Sequence, residues 1–302
     1  MTEGSEFKSG YVALVGRPNV GKSTLVNTLL DFDLSIITPK AQTTRHKILG
    51  ILSSESFQFI FWDTPGILKP EYKLHELMLK SAQSAMRDSD IVLWIVDGTD
   101  TDHKADLHVL PLIKQIVNPV ILVINKTDAM TEPQIEDARE YFGSLDNFAA
   151  IIPASALKRQ GIEDIKSALV RFSPQGMPFY PLDQITEHPE RFFVSEIIRE
   201  RIFVHFSQEI PYSTAVVIDE FHEQPERKDL IKARIIVEKS SQKPIIIGKG
   251  GSALKKIGQE SRERIEEFLG RPVFLELWVA VREKWRNKEV FLKEFGYDDR
   301  SR

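Results

Sequence analysis

The chain has 302 residues, of which 42% are hydrophobic and 28% are charged, and this composition is typical of a globular protein with room for two domains. It contains no cysteine, which excludes disulfides, thiolate metal sites and a cysteine nucleophile. The formal net charge of −4 argues against polyanion binding over the whole surface, so charge has to be considered region by region.

Residues 10–172 alternate apolar runs with amphipathic segments, the pattern of an α/β domain with a mostly parallel six-stranded sheet. Residues 1–9 are expected to form an N-terminal extension. The predicted strands are Tyr11–Val15, Ile48–Leu52, Phe57–Trp62, Ile91–Val96, Pro119–Ile124 and Ala149–Pro153. The predicted helices begin near Gly21, Leu74, Asp106, Pro133 and Ile162.

The segment between the first predicted strand and the first predicted helix has the form G-x-x-x-x-G-K-S of a phosphate-binding loop. Glycines let successive backbone N–H groups surround phosphate oxygens, and the helix N-terminus adds a partial positive charge. Lys22 can reach the β and γ phosphates of a nucleotide, and the Ser23 hydroxyl can ligate Mg²⁺. The alternative is a glycine-rich helix start without a ligand, but the strand–loop–helix setting favours the phosphate loop. The predicted nucleotide-binding residues here are Gly16, Arg17, Pro18, Asn19, Val20, Gly21, Lys22, Ser23 and Thr24.

Three more segments follow predicted strands, at the strand ends where open α/β sheets bind their ligands. In Asp63-Thr64-Pro65-Gly66 the carboxylate can hold Mg²⁺ through water, and the Gly66 N–H can meet the γ-phosphate. In Asn125-Lys126-Thr127-Asp128 the Asp128 carboxylate matches the two N–H donors of guanine, whereas adenine would leave a buried acceptor unpaired. In Ser155-Ala156-Leu157 a backbone N–H can bind the base carbonyl.

Each of these segments also has a simpler interpretation. Asp-Thr-Pro-Gly is a good turn sequence, Asn-Lys-Thr-Asp can begin a helix, and Ser155 can cap a turn. Turns alone do not explain why all of them follow successive strands in this order. The combination therefore predicts a guanine-nucleotide site with GTP or GDP and Mg²⁺ as its ligands.

The same region resembles the translation-factor-class GTPases, specifically the Era family of the TrmE–Era group. The segment Lys40-Ala41-Gln42-Thr43-Thr44-Arg45-His46 is especially similar to the first switch of that family, although it also reads as an ordinary polar loop. The resemblance implies that one threonine closes on Mg²⁺ and the γ-phosphate when GTP is bound; we favour Thr44 and leave Thr43 open. The predicted switch residues are Gln42, Thr43, Thr44, Arg45 and His46. The predicted Mg²⁺ ligands are Ser23, Thr44 and, through water, Asp63.

The position after Gly66 carries Ile67, where many GTPases carry a glutamine. Ile67 cannot orient an attacking water by hydrogen bonding, so we expect slow intrinsic hydrolysis or a contribution from other groups. In related GTPases an asparagine of the phosphate loop helps to hold K⁺ beside the phosphates, and Asn19 has that position here. We hypothesise K⁺-stimulated hydrolysis, with the alternative that Asn19 only shapes the loop. The candidate catalytic residues are Lys22, Thr44, Gly66 and Asn19.

A proline- and glycine-rich stretch, Ser173–Pro181, interrupts the periodic elements and predicts a linker over residues 173–183. Residues 184–302 then form a smaller α+β domain. Its predicted elements are a helix over Pro189–Phe206, strands at Thr214–Glu220, Ile231–Glu238 and Val273–Val281, and a helix that ends at Gly270.

The segment Gly248-Lys249-Gly250-Gly251 lacks the lysine–serine pair of a phosphate loop and matches the G-x-x-G loop of a KH domain, which clamps about four single-stranded nucleotides. Residues 242–256 hold four lysines and no acid, a local charge of +4. A G-x-x-G loop alone is a weak signal, because a tight turn on a basic face also explains it. The element order fits a bacterial-type KH domain, and the resemblance to the Era family continues to Tyr297. The predicted RNA-binding residues are Ile247, Gly248, Lys249, Gly250, Gly251, Lys255 and Lys256.

No apolar run reaches the roughly 20 residues of a membrane span, and the N-terminus lacks a signal-peptide pattern, so we expect a cytoplasmic protein. The segment Trp285–Phe295 is amphipathic and mildly basic. It leaves a peripheral contact with the inner face of the membrane open, but helix packing against the KH sheet is the favoured interpretation.

These features predict a GTPase switch that binds single-stranded RNA. The resemblance implies the 3′ end of small-subunit ribosomal RNA as the partner and small ribosomal subunit assembly as the role; no stable protein partner can be inferred. One alternative is an RNA-binding assembly factor that uses GTP only as a ligand. Another is a GTPase partner in tRNA modification, a family with a C-terminal cysteine that is absent here.

Overall fold

The computed structural model describes residues 7–38 and 40–297 and divides the chain into two compact units. The first unit comprises the residues up to Pro70 together with Met78–Glu187. The second unit comprises Glu71–Leu77 and the residues from His188 onwards. Residues 1–6 of the predicted N-terminal extension lie outside the described residues, and so do residues 298–302.

The first unit is built on a six-stranded sheet with the strand order β2-β3-β1-β4-β5-β6. β2 is antiparallel to β3, and all other neighbouring strands are parallel. Every residue of β4 is buried, as expected for a parallel strand covered on both faces. The predicted α/β fold with a mostly parallel six-stranded sheet is therefore confirmed. The strands are β1 (Lys8–Val15), β2 (Ile48–Ser53), β3 (Phe57–Asp63), β4 (Ile91–Asp97), β5 (Val120–Asn125) and β6 (Ala150–Pro153).

The helices of this region follow the predicted positions with one exception. A helix was expected from Asp106, but α3 is a single turn that begins at Leu110. The Asp106 side chain is buried beside Arg17, with 3.1 Å between Oδ2 and Nε, and turns occupy the residues before Leu110. The helices are α1 (Lys22–Leu30), α2 (Lys73–Asp88), α3 (Leu110–Ile113), α4 (Glu132–Gly143) and α5 (Ile162–Phe172).

β1 begins earlier than the sequence indicated. Lys8 already pairs with Phe57 of β3, three residues before the predicted start at Tyr11. The intervening Ser9 and Gly10 have a low preference for strands, so local composition hid a pairing that β3 imposes. Lys8 and Ser9, which were assigned to the N-terminal extension, therefore belong to β1.

Residues 173–187, which we call the strap, form the end of the first unit. Hydrogen bonds join this segment to a glutamine of β3. Gln58 is fully buried, and its Nε2 donates to the Tyr180 carbonyl (2.9 Å). Its Oε1 accepts from the backbone N–H groups of Phe179 (2.7 Å) and Tyr180 (2.9 Å). Further along, Thr186 Oγ1 donates to the Leu49 carbonyl of β2 (2.6 Å). The segment predicted as a linker, residues 173–183, is therefore bound to β3, and Thr186, just after it, is bound to β2.

The second unit packs α6 and α8 against a three-stranded sheet with the order β7-β8-β9. β7 and β8 are antiparallel, whereas β8 and β9 are parallel. The predicted α+β KH arrangement is confirmed, with a short helix, α7, that the sequence did not indicate before the glycines. The elements are α6 (Glu190–His205), β7 (Thr214–His222), β8 (Asp229–Val237), α7 (Gln242–Ile247), α8 (Ser252–Leu269), β9 (Val273–Val281) and α9 (Glu289–Glu294).

The C-terminal segment of the second unit buries its apolar side chains. Trp285 is fully buried and donates from Nε1 to the Ser213 carbonyl (2.8 Å), and Leu292 and Phe295 are buried as well. Val290 remains exposed. Within the described residues, no helix combines the length and the apolar composition that a membrane span requires.

Candidate functional site

The turn between β1 and α1 depends on two glycines. Gly16 has a φ of 151° and Gly21 a φ of 100°. A Cβ atom at Gly16 would lie 2.3 Å from the Ile95 carbonyl oxygen, and one at Gly21 would lie 2.2 Å from Asn125 Nδ2. Both positions therefore require glycine. Because α1 begins at Lys22, the N–H groups of its first turn lie at this loop without partners in the helix.

Lys22 is folded back onto the loop that carries it. Its Nζ donates to the carbonyl oxygens of Gly16 (3.2 Å) and Arg17 (3.0 Å), and the residue is 6% exposed. Burial removes the hydration of the ammonium and lowers its pKa from 10.5 to about 8, although Asp63 and Asp106 act in the opposite direction. A buried cation whose hydrogen-bond partners are neutral carbonyls is well suited to bind an anion.

Three oxygen-bearing side chains converge near Lys22. Ser23 Oγ lies 2.8 Å from Thr44 Oγ1 and 2.7 Å from Asp63 Oδ2. Asp63 is fully buried, and its Oδ1 has no hydrogen-bond partner within the described residues. Burial raises the pKa of Asp63, although Lys22 and the hydrogen bonds from Ser23 and Thr44 lower it. A buried carboxylate with an unsatisfied oxygen beside two hydroxyls is the donor set that Mg²⁺ prefers, so these residues fit the ion.

The two adjacent threonines of the predicted switch have different partners. Thr44 Oγ1 contacts Ser23 and lies 3.4 Å from Asp63 Oδ2. Thr43 Oγ1 instead donates to the Lys40 carbonyl (2.8 Å) within the loop. Thr44 therefore lies with the candidate metal ligands, and Thr43 stabilises a local turn. Of the other predicted switch residues, Gln42 has a positive φ of 60°, Arg45 is buried and His46 is half-buried.

The segment after β3 lies against the phosphate loop. A Cβ atom at Gly66 would lie 2.7 Å from Pro18 N, so only glycine fits there. Ile67 donates its N–H to the Gly16 carbonyl (3.0 Å), and its carbonyl oxygen lies 3.0 Å from His108 Nε2. The Ile67 side chain is buried in the hydrophobic core. Neither the backbone nor the side chain of Ile67 is thus available to orient water. The contact of His108 with Ile67 was not indicated by any motif in the sequence.

The segments predicted to bind the base are cross-linked to the phosphate loop. Asn125 Nδ2 donates to the Val20 carbonyl (2.8 Å), and Asn125 Oδ1 accepts from the Ala156 N–H (3.0 Å). Ser155 Oγ donates to Asp128 Oδ1 (2.5 Å) and fixes the orientation of that carboxylate. Asn125 therefore serves mainly to join the three segments, while Asp128 is held in position for a ligand.

One cavity of the first unit joins the phosphate end to the base end of this site. Its lining also includes Ile36, Ile37, Thr38 and Ala129, which sequence reasoning missed because they belong to no motif. The predicted residues Gly16, Arg17, Val20, Asp63, Thr64, Pro65, Ser155, Arg45 and His46 are not part of the lining. The predicted residues that line it are Pro18, Asn19, Gly21, Lys22, Ser23, Thr24, Gln42, Thr43, Thr44, Gly66, Asn125, Lys126, Asp128, Ala156 and Leu157.

The second candidate site is the glycine loop between α7 and α8. Gly248, Gly250 and Gly251 all have positive φ values, of 75°, 60° and 81°. A Cβ atom at Gly248 would lie 2.8 Å from Ala253 N, whereas one at Gly250 or Gly251 would have no atom within 4 Å. Gly248 is thus needed for packing, and the other two glycines leave the surface open for the approach of a ligand backbone.

The surroundings of this loop are basic. The predicted lysines Lys249, Lys255 and Lys256 are all exposed, with Lys256 Nζ 3.9 Å from a Glu260 carboxylate oxygen. Ile247 is half-buried and packs against the core of the second unit. The predicted RNA-binding residues therefore form one continuous segment, of which the lysines and the open glycines are accessible.

A phosphate loop at the end of a parallel strand, a carboxylate fork for guanine and a following G-x-x-G unit define a GTPase with an attached KH domain. Two family models agree: residues 11–126 match a model described as 50S ribosome-binding GTPase, and residues 209–286 match the KH domain. GTPase Era of Lactobacillus helveticus is 46% identical over 98% of this chain and 98% of the relative. GTPase Era of Clostridium botulinum is 44% identical over 96% of this chain and 98% of the relative. The chain belongs to the Era family of GTPases.

Two solved structures share the fold with a TM-score of 0.91, at 39% identity, over 96% of this chain and 99% of theirs. One is a point variant of Era from Aquifex aeolicus bound to GDP and AlF4⁻. The other is Era in complex with MgGDPNP and nucleotides 1506-1542 of 16S ribosomal RNA. The predicted family, the GTPase activity and the guanine nucleotide with Mg²⁺ are thereby confirmed.

Proposed function

We propose that this protein is a GTP-hydrolysing switch that binds single-stranded RNA at the 3′ end of small-subunit ribosomal RNA and acts in assembly of that subunit. The observation that carries the proposal is the near full-length match to Era in complex with MgGDPNP and 16S ribosomal RNA. The basic, open G-x-x-G loop supports it independently, because single strands are clamped by such loops.

In the proposed reaction, water attacks the γ-phosphate in line, and the protein positions the phosphates and neutralises their charge. Lys22 carries the positive charge to the β and γ phosphates, exchanging its carbonyl partners for phosphate oxygens. The Gly66 N–H meets the γ-phosphate, and its closeness to Pro18 keeps that N–H at the phosphate loop. The remaining loop residues supply backbone N–H groups.

Ser23 and Thr44 are proposed as direct ligands of Mg²⁺, with Asp63 binding it through water. When bound, this ion neutralises charge on the β and γ phosphates. The three side chains already contact one another, with the Ser23 hydroxyl bonded to both Thr44 and Asp63. We infer that GTP and GDP set different orders of residues 33–47 and 66–75, because Thr44 loses its γ-phosphate-dependent contacts on hydrolysis.

At the base end, Asp128 is proposed to accept the two N–H donors of guanine, and the Ala156 or Leu157 N–H to bind the base carbonyl. The Ser155 hydrogen bond supports this role, since it fixes one carboxylate oxygen and so orients the other. A change of nucleotide preference from GTP to xanthosine triphosphate tests this role of Asp128. Asp128→Asn should lower the affinity for GTP and raise that for xanthosine triphosphate, and unchanged preference for GTP would contradict the assignment.

A K⁺ ion beside Asn19 is proposed to supply the charge that a missing catalytic group would provide. Asn19 lines the nucleotide cavity, which supports a ligand role. Its φ of 66° supports the alternative, since asparagine tolerates this left-handed conformation and can simply shape the loop. Hydrolysis rates in KCl and NaCl decide the question: a faster rate in KCl that disappears in Asn19→Ala supports the ion site, and equal rates exclude it.

RNA binding is tested at the two positions of the loop that face open space. Lys249→Asp with Gly250→Asp adds negative charge to the loop, and RNA affinity should fall by about 100-fold. A Cβ atom at residue 250 meets nothing within 4 Å, but its φ of 60° strains an aspartate, so the control also replaces a glycine with a positive φ. Gly270→Asp with Lys293→Asp makes the same chemical changes elsewhere in the unit and is the matched control. Equal RNA affinity of the two double variants would overturn the RNA assignment.

Ile67 offers no water-orienting side chain, which leaves an RNA-binding factor that uses GTP only as a ligand as the alternative, but the match to a GTPase family argues against it. Multiple-turnover phosphate release that Lys22→Ala abolishes excludes it. Crosslinking distinguishes the proposed function from a role in tRNA modification. The RNA crosslinked to the protein should be the 3′ segment of small-subunit ribosomal RNA and not tRNA.

We infer that the protein works in the cytoplasm, where its proposed RNA partner is assembled. A peripheral membrane contact of Trp285–Phe295 is not part of this proposal, since Trp285, Leu292 and Phe295 are buried within the second unit. Fractionation of cells that express the protein from its own promoter tests the location.

A further inference from the structure

Arg17, in the phosphate loop, is paired with carboxylates at the end of β4 and in the segment that follows it. Its Nε lies 3.1 Å from Asp106 Oδ2, and its Nη2 lies 3.2 Å from Asp100 Oδ2 and 3.8 Å from Asp97 Oδ2. The Asp106 side chain is completely buried, whereas that of Asp100 is 25% exposed. Arg17 was predicted to contact the nucleotide, but its guanidinium is engaged with this acidic segment.

The same carboxylates reach the base end of the site. Asp97 Oδ2 accepts a hydrogen bond from Lys126 Nζ (2.6 Å), and the Asp97 N–H donates to Asp106 Oδ2 (3.4 Å). Lys126 belongs to the guanine segment and lines the nucleotide cavity. The acidic residues after β4 therefore connect the phosphate loop with the segment that holds the base.

The backbone at Arg17 and Pro18 is part of the phosphate loop. The Arg17 carbonyl accepts from Lys22 Nζ (3.0 Å), and the following residue, Pro18, lies against Gly66. An ion pair with one fully buried partner is only weakly screened and constrains the arginine strongly. If the phosphate loop is already ordered in the free protein, less of the binding free energy is lost in ordering it when a nucleotide binds.

We propose that Asp106 is a positioning residue of the nucleotide site, which fixes the phosphate loop through Arg17. Asp106 does not line the cavity and acts only through its neighbours. This inference rests on the proposed function, since it concerns how firmly a guanine nucleotide is held.

The first test measures the dissociation of fluorescent mant-GDP from the full chain. Asp106→Asn keeps the shape of the side chain and removes its charge, and it should accelerate dissociation by about tenfold. Asp100→Asn is the matched control, because it removes a carboxylate at nearly the same distance from Arg17 that is partly exposed and therefore better screened; its effect should stay below about twofold.

The second test shows whether Asp106 acts through Arg17. Arg17→Gln should accelerate dissociation by a similar factor, and the double variant should be no worse than Arg17→Gln alone. The KM for GTP should rise in all three variants, while kcat changes by less than about twofold, since no group that touches the reacting atoms is lost.

The outcomes separate the two proposals. Absence of mant-GDP binding by the unchanged protein would contradict the proposed function itself. Binding with unchanged dissociation in Arg17→Gln would overturn only the positioning role, whether or not Asp106→Asn folds. Additive effects of the two substitutions would overturn it as well, because they would show that Asp106 does not act through Arg17.

Discussion

Folding changes the chemistry of Lys22, since burial lowers the pKa of its ammonium from 10.5 to about 8. Phosphates raise that pKa again, because they favour the charged form. The affinity for nucleotide should therefore fall as the pH rises through about 8, where the free protein loses the proton that the complex keeps.

This linkage predicts proton uptake on binding. At about pH 9, GDP binding without Mg²⁺ should take up close to one proton, and at about pH 7 almost none. Calorimetry in two buffers with different ionisation enthalpies measures the number directly. Identical binding enthalpies in both buffers at the higher pH would show that Lys22 remains charged in the free protein.

The adjacent threonines supply a matched pair of substitutions. Thr44→Ala removes the hydroxyl that contacts Ser23 and Asp63, so it should slow GTP hydrolysis by about 100-fold and raise the Mg²⁺ concentration required. Thr43→Ala removes the hydrogen bonds to Lys40 and Thr38 within the loop, and its rate should stay within about fivefold of the unchanged protein. A larger effect of Thr43→Ala would reverse the assignment of the metal ligand.

At the scale of elements, the strap is held to β3 by the side chain of one residue. Gln58→Met has a similar volume but cannot bond the backbone of Phe179 and Tyr180. The lost bonds should cost about 2 kcal/mol and release the segment locally.

Limited chymotrypsin digestion measures this release. Cleavage after Phe179 should become about tenfold faster in Gln58→Met. Gln184→Met is the control, because Gln184 Nε2 donates only to the nearby Thr186 carbonyl (3.1 Å). If both variants are cut at the same rate, Gln58 does not fix the strap.

For the whole molecule, the net charge of −4 conceals a local charge of +4 from the four lysines of residues 242–256. Since bound RNA displaces counterions, Lys255→Gln with Lys256→Gln should reduce the slope of log affinity against log salt by about 1.4. Lys104→Gln with Lys114→Gln, exposed lysines of the first unit, should leave the slope unchanged. Equal slopes for the two double variants would place the RNA elsewhere.

Much of the fold was accessible to sequence reasoning where a pattern is local. The apolar strands and the glycine loop follow from composition and spacing, because each depends on neighbours within a few residues. The helix expected at Asp106 failed for the opposite reason: the buried contact with Arg17 joins residues far apart in the chain, and the sequence gives no sign of it. The hydrogen bonds of the strap were hidden for the same reason, since Gln58 and Tyr180 meet only in the folded unit.

The sequence by itself determined the family, the nucleotide and the two kinds of site, because phosphate loops, guanine forks and G-x-x-G loops are recognised by residue type and order. Only the tertiary structure placed Thr44 beside Ser23 and Asp63, paired the Arg17 side chain with carboxylates and lowered the pKa of Lys22. The physical reason is that these properties depend on distance and burial. Both arise when segments distant in the chain pack together, and no local pattern of residues encodes them.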